Sequence, residues 1–124
     1  MNKIYCLSGC STCKMILDEL SPAIKGFTLQ DIKGEKITNN QIEEMKKLAG
    51  SYEALFSRRA RKFVEMGLKD KKLGEMDYRA LILEEYTFLK RPVAIVGSDI
   101  FIGSEKKVQE ALKKKLKRSQ GKQI

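Results

Sequence analysis

The hydrophobic period of this chain changes once within its first twenty residues, and two cysteines sit at the change. Ile4-Tyr5-Cys6-Leu7 is a short apolar, β-prone run that stops at Ser8-Gly9. From Cys13 to Leu20 the apolar residues Met15, Ile16, Leu17 and Leu20 follow helical spacing. The pattern is strand, turn, helix, with Cys10-Ser11-Thr12-Cys13 at the turn. Pro22 ends the helix, and Phe27-Thr28-Leu29-Gln30-Asp31-Ile32 alternates as a second strand. Such a strand lies beside the first through a right-handed crossover, so the chain opens with a βαβ unit.

The middle of the chain is helical. Thr38 with Asn39, Asn40 and Gln41 offers N-cap chemistry to a helix carrying Ile42, Met45 and Leu48, which Gly50 closes. Two short helices follow, over about 51–56 and 59–66, the second stopped by Gly67. Asp77 is placed to cap another helix with Leu81, Ile82 and Tyr86 on one face. After Arg91-Pro92 the period changes again. Val93-Ala94-Ile95-Val96, a turn at Gly97-Ser98-Asp99, and Ile100-Phe101-Ile102 read as a β-hairpin. A final helix runs from about Glu105 through Val108, Ala111, Leu112 and Leu116. The order is βαβ, helices, ββα.

At 124 residues the chain fits one domain over 1–118, followed by a basic, disordered tail over 119–124. Its apolar runs are too short to cross a bilayer, and its start lacks the pattern of a secretory signal, so a cytoplasmic protein with no membrane partner, and a monomer, is expected. In that compartment cysteines stay reduced, and three of them do not make a structural disulfide framework. A structural zinc site wants four Cys or His ligands, and with no histidine the chain has only Cys6, Cys10 and Cys13, so no metal is expected. The missing histidine also excludes Ser-His-Asp and Cys-His hydrolases. The Cys-x-x-Cys therefore points to redox chemistry.

Cys10, just before a helix, sits where unpaired backbone N–H groups and the helix dipole favour a thiolate. Cys13, one turn on, is close enough to attack a mixed disulfide formed on Cys10. Ser11 and Thr12 can add hydrogen bonds to the Cys10 sulfur. Cys6, within a strand, reads instead as a small core hydrophobe. If the Arg91-Pro92 bond is cis, it can set backbone atoms against the reactive sulfur with the Arg91 side chain facing it, to hold an oxyanion or stabilise the thiolate. Arg58 and Arg59, in Arg58-Arg59-Ala60-Arg61-Lys62, either line the same anion site or belong to a basic helix face. The formal charge is +9 from 25 Lys and Arg against 16 Asp and Glu. Eight of the basic residues fall after Ser104, a solvated helix face or a contact for an acidic partner or nucleic acid.

Gly9-Cys10-Ser11-Thr12-Cys13-Lys14, Leu55-Phe56-Ser57-Arg58-Arg59, Phe63-Val64-Glu65-Met66-Gly67-Leu68, and Lys90-Arg91-Pro92-Val93 followed by Ile102-Gly103 together make the chain resemble the arsenate reductase (ArsC)/Spx/MgsR family of thioredoxin-like proteins. The resemblance implies an α/β thioredoxin-like fold: a four-stranded mixed sheet, βαβ then ββα, with a helical insertion between the halves. It implies a thiol-disulfide oxidoreductase with Cys10 as nucleophile, Cys13 resolving and Arg91 at the anion, acting on a small anionic or disulfide substrate. No bound cofactor is implied; glutathione with glutaredoxin, or thioredoxin, would be the reductant. Of the three oxyanion-binding arginines of the glutathione-linked arsenate reductases, only Arg91 maps directly. The alternative that the resemblance offers is a redox-sensing transcriptional regulator, in which the thiol pair is a switch and Gly50 lies at a contact with the C-terminal domain of the RNA polymerase α subunit.

Overall fold

Strand β1 (Asn2–Cys6) is paired along both edges in the computed structural model, which describes residues 2–121. Strand β2 (Thr28–Asp31) runs parallel to it, with Ile4 beside Leu29 and Cys6 beside Asp31. On its other edge β3 (Val93–Val96) runs antiparallel, with Ile4 opposite Ala94, and β4 (Asp99–Ile102) closes the sheet as a hairpin with β3. The order β2-β1-β3-β4 is mixed, as the βαβ and ββα patterns require. All four residues of β3 are buried, which accounts for its unbroken apolar run.

The chain divides into two compact units. The first comprises the residues up to Glu35 and from Arg91 onward and holds the sheet. Helix α1 (Ser11–Leu20) contributes Ile16 and Leu20 to its core, and the C-terminal helix contributes Leu112 and Leu116, all packed with Ile4, Ala94 and Val96. Helix α1 ends before a cis Ser21–Pro22 bond. The second unit, Lys36–Lys90, is the helical insertion. There α2 (Asn39–Ala49) begins with a full capping box, in which the Thr38 hydroxyl accepts from Gln41 N–H at 3.1 Å and the Gln41 side-chain Oε1 accepts from Thr38 N–H at 3.1 Å. It ends at Gly50, whose φ of 94° no β-carbon-bearing residue adopts easily. Helices α3 (Arg61–Glu65) and α4 (Glu75–Glu84) follow, and Phe56 packs at 5.0 Å from Phe88 and 4.8 Å from Tyr78, ring centre to ring centre.

Several local expectations are corrected. The helix expected over 51–56 is a single 3₁₀ turn, Glu53–Leu55, and α3 starts two residues later than expected, leaving Arg58 and Arg59 in a turn. Asp77 is not the cap of α4: Gly74 holds that position, and the Asp77 carboxylate reaches back to accept from Gly74 N–H at 2.8 Å. Tyr86 lies beyond α4 in another 3₁₀ turn. In β2 the alternation is inverted, with Leu29 52% exposed and Gln30 buried, because the Gln30 amide donates to the Glu35 carbonyl at 3.1 Å and so carries its polar group inward satisfied. Helix α5 (Lys106–Gly121) keeps the backbone helical through 119–121, where the sequence pattern suggests a tail, and 122–124 lie outside the described residues. No helix among the described residues is long and apolar enough to cross a membrane.

Leu112, 1% exposed in the first unit's core, carries a direct test: Leu112→Ala should cost about 2–5 kcal/mol in denaturant unfolding, the transfer and cavity loss of a core leucine. Thr38→Ala, which removes one half of the capping box, should cost about 1 kcal/mol in the same measurement.

Candidate active site

The turn between β1 and α1 is built backwards from its hydrogen bonds. Gly9 adopts φ 80°, and Cys10 N–H donates to the Leu7 carbonyl at 3.2 Å, which turns the chain so that Cys10 becomes the N-cap of α1. The Cys10 carbonyl then accepts from Lys14 N–H at 3.1 Å, the first helical bond. A neutral thiol is a weak acceptor, and Cys10 makes no side-chain capping bond in that form. Its sulfur nonetheless faces the N–H groups that a helix start leaves unpaired.

These surroundings split the two thiols. Partial burial pushes Cys10 upward, but it is outweighed by the Cys13 N–H, the Cys13 thiol, the Thr12 N–H and the Arg91 charge, and the net result is a lowered pKa. Cys13 is 2% exposed, and burial pushes it up to about 11. The Leu7 N–H and Arg91 oppose that rise, while the hydrogen bond to Cys10 and the Cys10 charge reinforce it. The sequence-predicted trio of Cys10, Cys13 and Arg91 thus meets in one place, with the guanidinium acting on both sulfurs. Arg91–Pro92 is cis, and the Pro92 carbonyl accepts from Gly103 N–H at 2.9 Å. The donor that Thr12 supplies is its backbone N–H, and Ser11 is the exposed first residue of α1.

Cys6 packs against the first unit's core as a small hydrophobe, but from the end of β1 and not from mid-strand. It is the last residue of β1 and only half-buried; its thiol donates to the Gln30 carbonyl at 3.6 Å. Burial first, and then the nearby Asp31 carboxylate, hold it above the ordinary thiol range. Cys6, Cys10 and Cys13 all border a cavity of about 290 Å³, together with Leu7, Leu17 and Asp31. Among the described residues no group of three or more His, Cys, Asp or Glu side chains is arranged to hold a metal ion.

Arg58, Arg59 and Gly50 belong to the second unit. Arg58 donates to Glu53 at 2.9 Å and to the Tyr78 hydroxyl at 2.8 Å, and Arg59 is exposed. Gly50 is accounted for as the left-handed end of α2, its N–H donating to the Lys46 carbonyl at 2.8 Å.

Sequence reading passed over Asp31. Its Oδ1 accepts from Ser8 N–H at 3.0 Å and Lys33 N–H at 3.2 Å, and these bonds, Ser8 foremost, lower its pKa. The available signal was an aspartate closing a strand two residues before a lysine and a glycine, the composition of an Asx-turn.

Among solved structures, an ArsC-family-related protein from Bacteroides fragilis is 20% identical, with 90% of this chain and 96% of that one covered at a TM-score of 0.75. An arsenate reductase-related protein from Brucella melitensis is 22% identical over 89% and 92%, at 0.69. An arsenate reductase from Vibrio cholerae is 19% identical over 90% and 94%, at 0.67. These likenesses establish the fold, the thioredoxin-like one. No curated protein matches the sequence. The ArsC family matches it over residues 5–112, from within β1 to the core residue Leu112, and the chain belongs to that family.

Proposed function

We propose that the protein is a thiol-dependent reductase in which Cys10 attacks and Cys13 resolves. One observation carries this reading: two thiols one helical turn apart, Cys10 at the N-cap of α1 and Cys13 buried behind it, border one cavity and are displaced in opposite directions, Cys10 down and Cys13 up to about 11. At neutral pH the first is the better nucleophile, and the second is held protonated as a hydrogen-bond donor to it.

On a disulfide substrate, the Cys10 thiolate attacks one sulfur, the substrate S–S bond breaks, and the other half leaves as a thiolate with the bonding electron pair. Cys10 is then uncharged in a mixed disulfide. Two of the influences that hold Cys13 up, the hydrogen bond to Cys10 and the Cys10 charge, are thereby lost, leaving burial opposed by the Leu7 N–H and Arg91. Cys13 gives its proton to solvent or to the departing thiolate, attacks the Cys10 sulfur and releases the second half of the substrate. The substrate gains two electrons and the protein is left with a Cys10–Cys13 disulfide. Glutathione with glutaredoxin, or thioredoxin, then restores the dithiol. Arg91 stabilises the Cys10 thiolate and offers a fork of donors to a small anionic substrate. Ser11, Thr12 and Pro92 border the sulfur in this reading. The regulator alternative would need Gly50 at a contact with the RNA polymerase α subunit, and helix-end geometry already accounts for that glycine.

With glutaredoxin and glutathione, or thioredoxin, as donor and bis(2-hydroxyethyl) disulfide as substrate, Cys10→Ser should remove all turnover above the rate the donor system gives alone. Cys13→Ser should accumulate a mixed disulfide on Cys10, visible by intact mass. Turnover above the donor-only rate that persists in Cys10→Ser would sink the reading. The pH dependence has a definite sign: since the folded-state pKa of Cys10 is depressed, its alkylation by iodoacetamide should reach half-maximal rate below ~8.5, the ordinary thiol value, while Cys13 and Cys6 label later.

A further inference from the structure

We propose that Asp31 is a positioning residue for the thiol pair: from the end of β2 its carboxylate holds the Ser8 N–H and so sets the turn that aims backbone donors at the sulfurs. The inference rests on the thiol pair being the reactive centre, as above.

The turn over 7–10 has few restraints of its own. Gly9 lies in the left-handed region and is free to take other conformations. One restraint is the Cys10 N–H bond to the Leu7 carbonyl. Another is Asp31, whose Oδ1 takes Ser8 N–H at 3.0 Å from 23 residues away. Asp31 is itself fixed twice, by Lys33 N–H at 3.2 Å and by its register beside Cys6 in the parallel β1–β2 pair. A rigid strand end therefore grips the middle of a flexible turn. Leu7, on one side of Ser8, supplies the N–H that meets the Cys13 sulfur; Cys10, on the other, must enter α1 at the angle that presents its sulfur to the N–H groups of Thr12 and Cys13. Asp31 also borders the cavity onto which both sulfurs open.

Charge and geometry predict opposite signs at this site. Removing a nearby carboxylate would by Coulomb's law alone favour the Cys10 thiolate and speed its alkylation. Loss of positioning does the reverse, since the sulfur loses aim on its donors. The conservative variant separates the two, because asparagine keeps an acceptor oxygen for Ser8 N–H and loses only the charge.

The test follows iodoacetamide labelling of Cys10 and Cys6 by peptide mass mapping from pH 5 to 10, in the full chain carrying Asp31→Ala or Asp31→Asn. Asp31→Ala is expected to slow Cys10 labelling at pH 7 about tenfold, the effect of a tenfold smaller thiolate fraction, with its pH profile moved upward. Asp31→Asn is expected to label Cys10 within about twofold of the parent, since a bond rather than a charge does the aiming. Cys6 should label faster in both variants, because the carboxylate charge that disfavours its thiolate is gone. A Cys10 rate in Asp31→Ala equal to or above the parent's overturns the proposal, and so does an equal slowing in both variants. If Asp31→Ala fails to fold, amide hydrogen exchange at Ser8 in Asp31→Asn decides: protection kept as in the parent supports the grip, and protection lost overturns it. None of these readouts requires turnover, so a parent protein that labels as expected but reduces no substrate would count against the reductase reading and leave Asp31's role standing.

Discussion

At the first turn of α1, burial and backbone hydrogen bonding pull in opposite directions on two sulfurs, and the rest of the first unit serves to hold that contest in place. Burial alone would make both thiols inert. Cys10 escapes because it is the N-cap residue, where N–H groups without helical partners face it and the Arg91 charge is near. Cys13 does not escape, because the same helix that exposes Cys10 buries Cys13 beside the Leu7 N–H with a single backbone donor. One turn of helix thus gives two cysteines three residues apart unequal chemistry. The turn stays where it is because β1 is paired on both edges, with β2 bringing Asp31 to one side and β3 following the cis Arg91–Pro92 bond on the other.

What could be read from the sequence follows from how local each cause is. The βαβ opening is written in a change of hydrophobic period, the start of α2 in a capping box four residues long, and the β3–β4 hairpin in a glycine turn between two apolar runs. All three causes lie within a few residues of their effects. The failures have causes that the hydrophobic period does not carry. Gln30 turns inward because the Glu35 carbonyl receives its amide, and nothing in an alternating pattern marks that. Asp77 serves α4 from its third position because a glycine without a side chain stands at the cap. At Asp31 the composition marks the local Asx-turn alone, because the second partner, Ser8, is on another strand's turn. Cys6 was misplaced by one residue, since the strand ends on it rather than continuing through Leu7.

The arginines show how a motif can be present while its residues are engaged elsewhere. Arg58 stands in a stretch that resembles an anion-binding motif, yet its guanidinium is shared between Glu53 and the Tyr78 hydroxyl. That cluster belongs to the polar framework of the insertion, where Glu75 takes the N–H groups of Tyr52 and Glu53 and Glu43 takes Arg79 at 2.8 Å. Arg91 differs in that its charge reaches both sulfurs from the strand end beside them. An arginine is suited to that place, because its planar guanidinium presents several donors at once.

The remaining cations act at a different range. Along α5, Lys113 pairs with Glu19 at 3.2 Å and Lys115 with Asp99 at 2.9 Å, exposed contacts of the kind worth about 0–1 kcal/mol. Their contribution to the thiols is smaller still. At physiological salt a surface charge is screened over about 8 Å, and the influences that shift Cys10 are close ones: its burial, Cys13, the Thr12 N–H and Arg91. What an excess of +9 can change is encounter, since a positive surface gathers anionic thiols and disulfides from solution. Reactivity is set within one helical turn and one guanidinium, and encounter by the whole surface. Added salt should therefore slow the meeting of protein and anionic partner while leaving the thiolate fraction of Cys10 nearly as it was.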